Sequence, residues 1–126
     1  MISFHANTVT ITREEWGDLI FWGAEEDLYL MLQAADEYDE QDIRLGMDDI
    51  YIETCGQGWS WYGNIELFEL TRDRVFVQLS PEAATRMGDD GKVEVTFTLD
   101  ETWYGGLRKI LQKIFEGKDY YRDRTG

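Results

Sequence analysis

A chain of 126 residues, 43% hydrophobic and 14% aromatic with a single proline, is long enough for one domain around one core and too rich in ordering residues to be a disordered acidic tail. Its 26 aspartates and glutamates against 12 lysines and arginines give a net charge of −14, which repels nucleic acid and anionic membranes and complements a basic partner. The lone Cys55 excludes an internal disulfide, the first five residues lack the pattern of a signal peptide, and the longest apolar run, 19–24, is too short to span a bilayer, so the expected location is the cytoplasm.

In chain order, residues 2–12 are rich in threonine, valine and isoleucine and read as a strand, as does the cluster Leu19-Ile20-Phe21-Trp22 within 17–24. Residues 28–33 fit either a strand or a helix and are read as a strand. The acidic stretch 36–42 has no apolar periodicity and reads as a solvated loop. Residues 49–55 alternate Ile50 and Ile52 with Tyr51 and Glu53, the mark of a further strand. The glycine-rich stretch 56–63 reads as a flexible frame. Strand-like runs at 65–70 and 75–79, separated by Thr71-Arg72-Asp73-Arg74, predict a hairpin.

Pro81 opens a short helix that Gly88 ends. Asp89-Asp90-Gly91 is a turn. Residues 92–99 then alternate Val93, Val95, Phe97 and Leu99 with polar residues, so one face of that strand is wet. Asp100 caps a final helix in which Leu107, Ile110, Leu111, Ile114 and Phe115 recur at helical spacing before Gly117. The expected fold is α+β: a largely antiparallel twisted sheet of about six or seven strands with the C-terminal amphipathic helix packed on one face. Residues 1–117 form one domain, and the polar segment 118–126 is a frayed tail.

The charge is unevenly placed. Residues 1–70 hold sixteen acidic groups and two basic ones, Arg13 and Arg44, hence −14; residues 71–126 hold ten of each and are neutral. Asp36, Glu37, Asp39, Glu40, Asp42, Asp48 and Asp49 supply oxygen ligands, but Tyr38 and Gln41 break the alternation that a calcium-binding EF-hand loop needs. Those seven carboxylates read better as a surface that steers and pairs with a basic protein; plain solvation is the bland alternative. Trp59, Trp61 and Tyr62 either anchor a protein interface, stack on a sugar or base, or fold back onto the core. With one histidine in the chain, a Cys55/His5 dyad is a weak candidate for catalysis. No catalytic residue, metal site or cofactor is expected.

The words Tyr29-Leu30-Met31-Leu32-Gln33, Asp39-Glu40-Gln41-Asp42, Gly46-Met47-Asp48, Tyr51-Ile52-Glu53 and Tyr62-Gly63-Asn64-Ile65 make the stretch of about 28–79 similar to the immunity protein 10 family of bacterial polymorphic toxin systems. The resemblance implies a small cytoplasmic antidote that binds the toxin encoded beside it and blocks its active site or substrate access. Charge and aromatic content, not the resemblance, give the contact residues named above. Two other readings stand beside it: an acidic nucleic-acid mimic that binds a basic host protein, and an enzyme or sugar binder that uses the Trp59, Trp61 and Tyr62 rings.

Overall fold

The computed structural model describes residues 2–13, 18–25, 28–35, 50–54 and 59–124. Ten strands and two helices are described: β1 (Ile2–His5), β2 (Thr8–Arg13), β3 (Asp18–Glu25), β4 (Leu28–Ala35), β5 (Tyr51–Thr54), β6 (Trp59–Tyr62), β7 (Ile65–Leu70), β8 (Arg74–Leu79), α1 (Pro81–Met87), β9 (Lys92–Thr96), α2 (Glu101–Ile114) and β10 (Tyr121–Asp123). The α+β class, the mainly antiparallel pairing and the C-terminal helix agree with the sequence. The strand number does not, because several strands are too short or too distant from their partners to be counted locally.

The strands divide into two five-stranded sheets. The first has the order β1-β9-β8-β7-β10 and the second is the simple meander β2-β3-β4-β5-β6. In the first sheet β7, β8 and β9 pair antiparallel, whereas the edge strands β1 and β10 run parallel to β9 and β7. The run 2–12, read as one strand, is two. Ala6 N–H donates to the carbonyl of Thr96 in the first sheet (2.7 Å), and the next amide, Asn7 N–H, donates to Ala24 in the second (2.9 Å). The return is equally abrupt. Gly63 N–H donates to Ile50 (2.8 Å), while the Asn64 carbonyl accepts from Ser80 N–H (2.8 Å). Gly63 and Asn64 have φ of 76° and 63°, a left-handed pair that glycine and asparagine tolerate and branched residues resist.

Strand alternation builds one core from both sheets. Val75, Val77 and Leu79 of β8, Val93 and Val95 of β9, Phe68 and Leu70 of β7, and Leu30, Leu32 and Ile52 of the meander are fully buried. These positions follow the period of two expected of sheets with one covered face. Helix α2 adds Tyr104, Leu107, Leu111 and Ile114 and lies against β2, β3 and β4. A side chain at Gly106 would come within 3.0 Å of Ile11 Cδ1, so the glycine allows close approach of helix and meander. The helix starts at Asp100, whose carboxylate accepts from Trp103 N–H at 2.7 Å, a standard use of an N-cap side chain.

The segment expected to fray is instead pinned at its centre. Phe115, just beyond α2, lies against Phe68 with ring centroids 4.5 Å apart and stacks on Tyr121 at 5.0 Å. Arg108–Asp123 and Arg124–Glu69 ion pairs, each 2.6 Å, flank this cluster. The polar residues of 118–124 hid two aromatics, Tyr120 and Tyr121, that pack on the core.

Candidate functional site

The meander has one covered and one open face, and its register decides which residue lies where. Leu30 faces Thr54 and Leu32 faces Ile52 across β4 and β5; all four are buried. The intervening pairs, Met31 with Glu53 and Gln33 with Tyr51, therefore lie on the opposite face. On β6, Trp59 pairs with Thr54 and Trp61 with Ile52, on the core side; Ser60 pairs with Glu53 and Tyr62 with Tyr51, on the open side.

This alternation separates the three aromatics that the sequence groups together. Trp59 and Trp61 are partly buried and packed against the core, with the Arg86 guanidinium of α1 5.6 Å from the Trp61 ring centroid. Tyr62 points the other way, is 42% exposed, and its ring lies 5.2 Å from that of Tyr51 at an interplanar angle of 57°. The continuous three-ring platform that a sugar-stacking reading requires is absent. Asp36, Glu37, Asp39, Glu40, Asp42, Asp48, Asp49 and Cys55 lie outside the described residues. His5 is exposed on β1, with Nδ1 2.9 Å from the Thr96 hydroxyl.

At the centre of the open face is a residue that the sequence reading passed over as a site. The Glu53 carboxylate accepts from the Tyr29 hydroxyl at 2.5 Å and from the Tyr51 hydroxyl at 2.6 Å, one on each oxygen. Hydrogen bonding to the charged form, from Tyr29 first and Tyr51 second, holds the carboxyl below its ordinary pKa, with burial opposing. The same bond to Glu53 is the largest cause that raises the Tyr51 phenol above its ordinary value. Glu53 is therefore ionised and fixed in direction by neutral donors. The sequence carried part of the signal, since Tyr51 and Glu53 alternate with Ile50 and Ile52, but the approach of Tyr29 depends on the β4–β5 pairing.

Carboxylates of the first sheet are treated differently. Glu94 takes Arg74 at 2.7 Å, Asp123 takes Arg108 and Glu69 takes Arg124. Among the described residues no cation pairs with Glu53. The structure thus defines an α+β protein whose second sheet carries, on the face away from the core, partly exposed tyrosines around a carboxylate that no described cation neutralises. A family model for immunity protein 10 matches residues 5–105, and the chain belongs to that family; an immunity protein implies a toxin as its partner. Neither a curated protein nor a solved structure matches the chain. Among the described residues no helix is long and apolar enough to cross a membrane.

Proposed function

We propose that the protein binds a basic toxin encoded beside it and neutralises it stoichiometrically, by occluding the toxin's active site or its substrate's access, with no reaction of its own and within the cytoplasm. The observation that carries this reading is the concentration of charge in one tract of the chain. Between Thr8 and Tyr62, the stretch that contains every strand of the meander, fourteen acidic residues stand against two basic ones, so −12 of the −14 belongs to that half. Such a field accelerates encounter with a basic surface and rejects acidic competitors.

The contact set comprises Asp36, Glu37, Asp39, Glu40, Asp42, Asp48 and Asp49, on the connection between β4 and β5, with Tyr62 and the neighbouring Trp59 and Trp61 on the edge strand. Titrating the protein into an activity assay of the toxin from the adjacent gene tests the reading. The expected result is loss of toxin activity complete near one equivalent. Undiminished toxin activity at excess protein would refute it.

A further inference from the structure

We infer that Glu53, with Tyr29, Tyr51 and Tyr62 around it on the open face of the meander, is a preformed receptor for one arginine side chain of the toxin. The inference rests on the toxin-binding reading above and names the chemistry at the centre of that interface.

Three observations converge on it. First, the carboxylate is already oriented: two tyrosine hydroxyls, at 2.5 and 2.6 Å, each occupy one oxygen and leave further acceptor capacity on both. An incoming guanidinium matches a carboxylate with two parallel donors and meets no rotamer disorder at this one. Second, the site lacks a cation among the described residues, although the same chain neutralises Glu69, Glu94 and Asp123 with arginines. Its half of the molecule has only Arg13 and Arg44 to offer against fourteen carboxylates. Third, the Tyr51 and Tyr62 rings, 5.2 Å apart and tilted, share the carboxylate's face of the sheet, where Glu53 faces Ser60 and Tyr51 faces Tyr62. Tyrosine faces attract a guanidinium through the ring quadrupole and provide rigid contact area at small entropic cost.

A purely architectural role is the competing account, since cross-strand tyrosine–carboxylate pairs also stabilise sheets. The two accounts differ in what substitution does to binding when the fold is intact. Affinity for the adjacent-gene toxin is measured for the wild type, Glu53→Gln, Tyr62→Ala and the control Glu66→Gln, which removes the same charge from an exposed position of β7 in the first sheet. Glu53→Gln keeps shape and an acceptor oxygen but not the charge, and is expected to weaken binding about thirty-fold or more, as truncated hot-spot residues do. Tyr62→Ala, at an exposed edge position that the fold tolerates, is expected to weaken it about ten-fold. Glu66→Gln should stay within about two-fold.

Wild-type affinity in both Glu53→Gln and Tyr62→Ala overturns the receptor while leaving the toxin-binding reading intact. Equal losses in Glu53→Gln and Glu66→Gln also overturn it, because net charge alone would then account for the effect. Failure of the wild type to bind the toxin overturns the broader reading and the receptor together. Should Glu53→Gln unfold, Tyr62→Ala against Glu66→Gln decides the question by the same comparison.

Discussion

Glu53 and Tyr121 illustrate opposite treatments of a polar group. Glu53 accepts one tyrosine hydroxyl on each oxygen from its own sheet and is held ionised. The Tyr121 hydroxyl, enclosed by the aromatic cluster around Phe115, is a buried oxygen without a hydrogen-bond partner among the described residues. Burial is the first cause that raises its pKa far above the ordinary phenol. Removing an unsatisfied buried hydroxyl removes a desolvation cost. We expect Tyr121→Phe to be neutral or to stabilise by about 1 kcal/mol, read as an unchanged or higher melting temperature; a clear fall would mean that the hydroxyl has a partner.

The pH behaviour of Glu53 follows from its sign. Its folded pKa lies below the unfolded value, so its stabilising contribution is complete above the ordinary carboxylate pKa of about 4.3 and is lost as pH falls through the lower, folded value. Tyr51 has the converse shift, and its contribution is present below about 10 and is lost as pH rises through its raised folded value. In Tyr29→Phe or Tyr51→Phe the Glu53 carboxyl should titrate at higher pH than in the wild type. Carbon-detected NMR titration reads this directly, and an unmoved value in both variants would show that the hydroxyls do not hold the charge.

Among the elements, the α1 region depends most on local stereochemistry. Ser80 caps α1 by accepting from Ala83 N–H at 3.2 Å while its hydroxyl donates to Asn64 Oδ1 at 2.9 Å, so one side chain both starts the helix and ties it to the corner between sheets. Gly88 ends the helix with φ of 74°. Gly91 carries the tighter demand: φ is 71° and an added Cβ would lie 2.9 Å from Ala84 Cβ. Both effects oppose a side chain, and Gly91→Ala should cost about 1–3 kcal/mol, measured by denaturant midpoint. Gly88→Ala has the same backbone strain but open space around it, and should cost less.

Much of this was legible locally. The helix from Pro81 to Gly88, the hairpin through Thr71–Arg74, the alternation of 92–96 and the α2 stripe each carry their signal within about ten residues. What was not legible depends on distant partners. The parallel pairs β1–β9 and β7–β10 bring together residues more than fifty positions apart, with no local pattern to announce them. Trp59-Ser60-Trp61-Tyr62 followed glycines and looked like a loop, yet pairing with β5 makes it a strand and sends its rings to two faces. Tyr121 looked like tail because its partners, Phe115 and Phe68, come from a helix end and a strand. At the candidate site, residue types were readable and facing was not: Glu53 became distinctive only when Tyr29 arrived from the neighbouring strand.

For the whole molecule, the separation of charge matters more than its total. The first sheet with its helices is close to neutral and internally paired, while the meander half carries −12. Association with a basic toxin should therefore be fast and steeply salt-dependent in its on-rate, with a smaller effect on dissociation. Stopped-flow kinetics across ionic strengths check this. An on-rate indifferent to salt would mean that the acidic half serves solubility alone.

The two places where consecutive residues change sheets, at Ala6-Asn7 and Gly63-Asn64, make the meander a single excursion: the chain leaves the first sheet once, completes all five strands, and returns once. Threading is therefore simple where pairing is not. A contiguous block from 8 to 62 can change its open-face residues without altering the path of any first-sheet strand, provided the side that meets α2 keeps neighbours such as Ile11. Under the proposed toxin-binding reading, that is a lineage-friendly layout: recognition and scaffold would occupy separate tracts of one gene, and the first could diverge with its target while the second stays fixed.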